Sequence, residues 1–149
     1  MVKNKPPPLA TIGYEQATLD EVIARLHSAG VEIVVDVRAV AASRRAGFSK
    51  TLLAASLKAA EIDYLHLRAL GTPKAGREAA RAGRIAEMQR IFAEHLREPQ
   101  AQLELSVVCD VAKRLPAALL CFEADAKRCH RTVLAGLIRE RIACQVIDL

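Results

Sequence analysis

Hydrophobic and polar positions in this chain follow two alternating patterns, which predict short strands separated by helices. Short, nearly continuous apolar runs are typical of strands that are covered on both faces. They occur at residues 9–12, 31–37, 62–67, 117–122 and 143–147. Between them, apolar residues three or four positions apart predict helices. These helices are expected from Thr18, from Ser49 to Ala60, around residues 85–96, from Pro99, and from Ala126 to Arg141.

The alternation of strands and helices predicts an α/β fold with a mostly parallel central sheet of about five strands, flanked by helices in three layers. A chain of 149 residues fits a single domain, which we expect over residues 9–149 after a disordered leader at 1–8. In a parallel sheet all strands end at one edge, and ligands bind beyond that edge. Residues that follow the strands should therefore converge on one site.

The junction between the fourth predicted strand and the last predicted helix carries the densest group of reactive side chains. Two thiols, an imidazole, carboxylates and guanidinium groups crowd into residues 121–131, which indicates a chemical site. The catalytic candidates are Cys121, Glu123, Cys129 and His130 from this junction, and Asp36 from the end of the second predicted strand.

The two cysteines of this junction have different expected environments. Cys129 is expected in the first turn of the last helix, where unpaired N–H groups and neighbouring arginines favour the thiolate. We therefore predict that it alkylates faster at neutral pH than Cys109 or Cys144. Cys121 ends a buried strand, where it is either a nucleophile or a core residue.

His130 is expected to act through residues from other loops. Adjacent helix positions point about 100° apart, so a direct contact between His130 and Cys129 is not expected. A hydrogen bond from His130 to Glu15 or Asp36 is expected instead, and a purely structural histidine is the alternative. Asp36, Glu123 or His130 would move protons during a reaction.

Arginines and polar residues near the same sheet edge are candidates for substrate binding. The guanidinium group offers a rigid fork of donors for phosphate or carboxylate, and the alternatives are ion pairs with nearby acids or a solvated basic loop. The candidates are Tyr14, Glu15, Arg38, Arg44, Arg45 and Arg131. Asp36 shares a strand face with Arg38, and because a buried carboxylate without a partner is costly, Asp36 needs a partner.

The net charge and the amino-acid composition indicate which kinds of binding partner the protein is expected to have. The net charge is +5 and the pI about 9.3, and arginines recur along the central segment, at Arg77, Arg81, Arg84, Arg90 and Arg97. This favours an anionic small molecule or nucleic acid. No apolar run approaches the ~20 residues that span a bilayer, and the leader lacks the apolar core of a signal peptide. We therefore expect a cytoplasmic location, no membrane, and reduced cysteines; the oligomeric state is not indicated.

The sequence does not match the common motifs that bind nucleotide cofactors, phosphate groups or zinc. There is no phosphate-binding glycine loop, so no nucleotide cofactor is predicted. In a phosphatase-like Cys-(x)5-Arg loop starting at Cys121, the arginine position is occupied by Lys127. The eight-residue separation of Cys121 and Cys129 exceeds the usual gap of about two to four residues between zinc ligands. No metal is predicted, although a site assembled by the fold with His130 or Cys109 stays open.

Four segments in order resemble the DUF488 family, whose name denotes a domain of unknown function. They are Thr11–Glu15, Asp36–Arg38 with Ser43–Lys50, Leu70–Lys74, and the junction from Leu119 to Arg131. The resemblance covers about residues 9–149. Family members often carry Pro at the positions of Ala41 and Ala46, and Gly at that of Gln16. The resemblance implies an α/β fold and a site at the Cys-His-Arg motif, and it implies no particular reaction.

Two hypotheses for function follow from these patterns. The first is an enzyme, a hydrolase or transferase, acting on a phosphate-bearing substrate such as a nucleotide or nucleic acid. The second is a non-catalytic nucleic-acid-binding or regulatory module, in which the polar residues form a structural network of ion pairs.

Overall fold

The computed structural model describes residues 5–149. Five strands lie at Leu9–Gly13 (β1), Ile33–Asp36 (β2), Asp63–His66 (β3), Ala117–Cys121 (β4) and Val146–Asp148 (β5). Six α-helices lie at Leu19–Ser28 (α1), Lys50–Ala59 (α2), Lys74–Arg81 (α3), Ile85–His95 (α4), Pro99–Arg114 (α5) and His130–Ile142 (α6). Of the leader expected at 1–8, residues 5–8 carry neither helix nor strand, and the rest lies outside the described residues.

All strand pairs of the sheet are parallel, in the order β3-β2-β4-β1-β5. This confirms the predicted α/β fold. In register, Gly13 of β1 lies opposite Cys121 of β4, and Asp36 of β2 lies opposite Leu120. The carboxyl ends of β1, β2 and β4 therefore stand side by side, with β4 between the other two.

Helices cover both faces of the sheet, as the nearly continuous apolar strands require. On one face, Val34 and Leu120 pack with Val22 of α1 and Leu53 of α2. On the other face, helices α4, α5 and α6 pack on the sheet through a cluster that includes Val35, Leu119, Phe92, Leu105 and Leu134. Among the described residues no helix is both long and apolar enough to cross a bilayer.

Helix α3 has no counterpart in the predicted elements. Its sequence is rich in charge and buries only Gly76 and Ala79, so it lacks the large apolar residues by which an amphipathic helix is usually recognised. A methyl group on Gly76 would approach Thr72 Cγ2 to 2.4 Å. Close packing of small residues, which periodicity does not register, holds this helix in place.

The start of α6 also differs from the prediction. Residues 126–128 form a separate 3-10 turn, in which the Asp125 side chain accepts the N–H of Lys127 at 3.0 Å. Cys129 then adopts an extended conformation (φ −119°, ψ 145°) and caps the helix that begins at His130. Cys129 was expected in the first turn of α6 but lies just before it. The reason is that Asp125 caps a separate short turn at residues 126–128, which ends before α6 begins.

Candidate functional site

A cleft of about 990 Å³ lies at the carboxyl edge of the sheet, where residues that follow β1, β2 and β4 meet helix α3. Its buried lining includes Tyr14, Arg38, Met88, Cys121 and His130, with half-buried Glu123 beside them. Its outer lining includes Glu15, Arg44, Arg77, Arg81, Asp125 and Arg128. Four predicted site residues lie outside the lining, namely Asp36, Arg45, Cys129 and Arg131.

Cys121, Cys129 and His130 form a buried group that we call the thiol–histidine cluster. The Sγ atoms of Cys121 and Cys129 lie 3.6 and 3.5 Å from Nδ1 of His130. The three atoms all lie within 4.8 Å of one another. The expectation that Cys129 and His130 do not touch is wrong, because Cys129 is extended and the helical angle between neighbours does not apply to it.

The second ring nitrogen of His130 is held by the backbone. Nε2 donates to the carbonyl oxygen of Val37 at 2.8 Å, and since a carbonyl only accepts, Nε2 carries the hydrogen. The expected partners are engaged elsewhere: Glu15 accepts the N–H of Ala124 at 3.1 Å, and Asp36 pairs with Arg38. A backbone carbonyl leaves no signature in the sequence, so Val37 could not have been foreseen.

Protons are unevenly shared within the thiol–histidine cluster. Burial opposes ionisation of Cys129, but the proximity of Cys121, His130 and Arg131 outweighs it and lowers the pKa of this thiol. Burial also opposes the charged form of His130, but the charge of Cys129 outweighs it and raises the imidazole pKa. The proximity of Cys129, together with burial, raises the pKa of Cys121. Negative charge is thus concentrated on Cys129.

Glu123 lines the cleft beside the thiol–histidine cluster. The Sγ atom of Cys121 donates to Oε2 of Glu123 at 3.1 Å. Burial, followed by the nearby charge of Cys129, raises the pKa of the Glu123 carboxyl above its ordinary value. A carboxyl whose pKa is raised toward neutrality is suited to general acid–base chemistry.

Asp36 and Arg38 form a buried ion pair that holds the floor of the cleft. Arg38 Nε and Nη2 donate to the two carboxylate oxygens of Asp36 at 2.9 and 2.7 Å. Arg38 Nη1 donates to the Tyr14 hydroxyl at 3.0 Å and to the Phe48 carbonyl at 2.8 Å. The Tyr64 hydroxyl donates to Asp36 at 2.5 Å. Each nitrogen of the Arg38 guanidinium therefore has a protein partner.

Two further predicted anion binders hold loop carbonyls. Arg131 is 1% exposed, and its Nη1 and Nη2 donate to the carbonyls of Glu123 and Ala124. Arg45 donates likewise to the carbonyls of Glu15 and, at 2.8 Å, Ala17. These arginines therefore supply hydrogen-bond donors to carbonyls of the loops that follow β1 and β4.

Most of the arginines that face the cleft were not among the predicted substrate-binding residues. Arg44 was among the predicted binders, whereas Arg77 and Arg81 of α3 and Arg128 were not. Arg44, Arg81 and Arg128 are exposed and take part in none of the ion pairs of residues 5–149. Arg77 and Arg81 belong to the arginine-rich central segment of the sequence. Because helix α3 was not predicted, these two arginines could not be placed near the cleft.

The fold and the site define a class of protein, a parallel α/β domain whose polar residues gather beyond the carboxyl edge of the sheet. Within this class, the chain belongs to the family described as "Domain of unknown function DUF488", which matches residues 18–138. The match includes the candidate residues from Asp36 to Arg131, while Tyr14 and Glu15 precede it. No curated protein and no solved structure matches the chain.

Proposed function

We propose that this protein is an enzyme that acts on a phosphate-bearing substrate, a nucleotide or a nucleic acid, bound in the cleft. One observation carries the proposal: arginines from three separate segments face the cleft whose floor contains Cys121, Glu123 and His130. Cationic groups and reactive groups are thereby placed around the same volume.

The arginines suit an anion with several oxygens. Arg44 follows β2, Arg77 and Arg81 lie on α3, and Arg128 precedes α6. Because Arg44, Arg81 and Arg128 have no carboxylate partner among the described residues, their forks are available for phosphate. The volume of about 990 Å³ is near the upper end of the ~300–1,000 Å³ range of small-molecule sites, which is ample for a nucleotide.

The reactive groups at the floor fit a hydrolase or a transferase. Glu123 lines the cleft and, with its raised pKa, is the candidate for proton transfer. Cys121 and His130 also line the cleft, whereas Cys129 is 1% exposed and does not. We therefore assign contact with the substrate to Cys121, Glu123 and His130, and give Cys129 the role of setting the charge beneath them.

A cytoplasmic location is part of the proposal. All four cysteines are free and buried, and the two sulfur atoms of the thiol–histidine cluster are close enough to influence each other's protonation. A reducing compartment keeps such thiols from oxidation.

The first test measures stabilisation of the protein by phosphate-bearing compounds. A ligand that binds only the folded state raises the melting temperature by mass action. Inorganic phosphate, nucleotides and short oligonucleotides are compared in the wild-type protein and in the double variant Arg44→Ala/Arg81→Ala. We expect the best compound of the series to lose most of its stabilising effect in the variant, and the compounds that bind are then tested for turnover.

The matched control is Arg90→Ala/Arg97→Ala, which removes the same charge from exposed arginines outside the cleft lining. This variant is expected to respond as the wild type does. Equal losses in both variants would mean that diffuse surface charge binds the anion. Binding of nucleic acid that weakens steeply with salt and yields no product would instead favour the non-catalytic module.

A further inference from the structure

We propose that Cys121, Cys129 and His130 bind a zinc ion, with the fourth coordination position directed toward the cleft. The eight-residue separation of the two cysteines does not match a zinc-binding motif, and the sequence left open only a site assembled by the fold. The structure brings them together because one ends β4 and the other caps α6.

The two sulfur–nitrogen distances are those of a tetrahedral zinc site. Zn–S bonds of about 2.3 Å and Zn–N bonds of about 2.0–2.1 Å at tetrahedral angles place sulfur and nitrogen about 3.5–3.6 Å apart. The sulfur atoms of Cys121 and Cys129 lie 3.6 and 3.5 Å from Nδ1 of His130. Both sulfurs therefore lie at a ligand's distance from the histidine nitrogen, and all three atoms lie within 4.8 Å of one another.

His130 is already oriented as a metal ligand. Metal-bound histidines almost always donate their other ring N–H to a carbonyl or carboxylate, which fixes the tautomer. Here Nε2 donates to the Val37 carbonyl at 2.8 Å, so in the neutral ring Nδ1 carries the lone pair that faces the two sulfurs. Phe92 packs edge-on against the ring with centroids 5.0 Å apart and limits its rotation.

The ligand types select the metal. Thiolates and imidazole favour zinc, whereas magnesium and calcium prefer oxygen ligands. Two thiolates neutralise the charge of the ion when each releases its proton, and the backbone N–H of Arg131 lies 3.5 Å from the Cys129 sulfur as a donor. All three ligands are buried.

The fourth position faces the cleft. Cys121 and His130 contribute to the cleft lining, and the Glu123 carboxylate lies 3.1 Å from the Cys121 sulfur. Three protein ligands with an open fourth position are typical of catalytic zinc, whereas structural sites have four. Water bound there would lie beside Glu123. This orientation toward a substrate rests on the proposed function, whereas the metal site itself does not.

The full-length protein is stripped with a chelator under reducing conditions, loaded with zinc, desalted and assayed for metal by mass spectrometry. We expect one zinc ion per chain. Cys121→Ser and Cys129→Ser should each weaken zinc binding by more than the ~10–100-fold typical of losing an outer-shell partner. Cys109→Ser and Cys144→Ser, which change buried cysteines outside the cluster, should bind zinc as the wild type does.

A second measurement needs no variant and so does not depend on how a variant folds. Alkylation of each cysteine of the wild-type protein is followed by peptide mass spectrometry with and without zinc. Zinc should slow the alkylation of Cys121 and Cys129 and leave Cys109 and Cys144 nearly unaffected. The proposal is overturned if zinc is not retained, if both cluster variants retain it, or if protection is equal at all four cysteines.

The two proposals can fail separately. Arg44→Ala/Arg81→Ala should bind zinc normally even though it loses the anion response. Absence of zinc binding together with a normal anion response would remove only the metal site. Zinc binding together with an anion response that the arginine variant retains would remove only the proposed substrate site.

Discussion

Asp36 illustrates how one buried charge fixes its surroundings. The carboxylate is fully buried, and a bidentate pair with Arg38 and a hydrogen bond from Tyr64 satisfy it. Burial, and then the bond to Asp36, also raise the pKa of the Tyr64 hydroxyl. The sequence indicated both that Asp36 needs a partner and that Arg38 shares its face. The contribution of Tyr64 depends on the pairing of β3 with β2.

Asp36→Asn is predicted to destabilise the protein strongly. The substitution keeps the shape of the side chain but leaves the buried Arg38 guanidinium without its counter-charge. Breaking a buried ion pair by removing one partner costs about 3–5 kcal/mol, and chemical denaturation would measure the change in the free energy of unfolding.

The control for Asp36→Asn is Asp110→Asn. Asp110 pairs with Arg114 at 2.8 Å, but both side chains are about two-thirds exposed. Exposed pairs contribute only ~0–1 kcal/mol, so this change should be small. Similar losses in the two variants would contradict the structural role assigned to Asp36.

At the scale of elements, the end of β1 meets the loop after β4 very closely. A Cβ atom on Gly13 would lie 1.7 Å from the carbonyl oxygen of Glu123 and 2.9 Å from Nη1 of Arg131. The loop that carries Glu123 can therefore approach the sheet only because residue 13 has no side chain. Glycine at this position determines where the candidate acid of the cleft lies.

Gly13→Ala is predicted to displace the loop around Glu123 and to destabilise the protein. Overpacking of this kind costs about 1–3 kcal/mol, and here the obstructing atom belongs to the backbone and cannot turn aside. Thermal or chemical denaturation measures the loss, and a reduced anion response in the stabilisation assay would report the displaced cleft.

Gly136→Ala is the control for Gly13→Ala, and it is expected to stabilise the protein. Gly136 lies within α6, and apart from the nearby backbone of this helix no atom lies within 4 Å of a Cβ placed on it. Alanine is a better helix former than glycine by about 1 kcal/mol, so this variant should be more stable than the wild type. A Gly13→Ala variant as stable as wild type would show that the loop does not close on β1.

At the scale of the whole molecule, the strand order decides which groups meet. β4 lies between β2 and β1 and is buried along its whole length, so it presents Cys121 between the ends of its two neighbours. β5 is a short edge strand of three residues, two of which are exposed. The sheet is therefore expected to be most stable at its centre, directly beneath the candidate site.

Hydrogen exchange is predicted to follow this order. Amides of β4 should exchange only on global unfolding, whereas those of β5 should exchange through local opening, because few buried contacts hold the edge strand. Exchange followed by mass spectrometry or NMR tests the prediction. Equal protection of β4 and β5 would be inconsistent with this distribution of stability.

Local pattern alone determined a large part of this protein. The apolar runs located all five strands, although β2 and β3 are shorter than predicted at both ends. The alternation with helices then determined the parallel sheet and the edge at which Cys121 and Asp36 lie. These features depend on residues close in the sequence, where periodicity and turn residues act directly on the backbone.

The tertiary structure decided which side chains meet. His130 donates to the Val37 carbonyl instead of the expected side chains, and Arg131 donates to loop carbonyls. Arg77 and Arg81 face the cleft from a helix that has no large apolar residues. The contact between Cys129 and His130 arose from an extended residue where a helix was predicted. Such outcomes depend on strand order and on backbone groups that need partners, and neither leaves a periodic signal in the sequence.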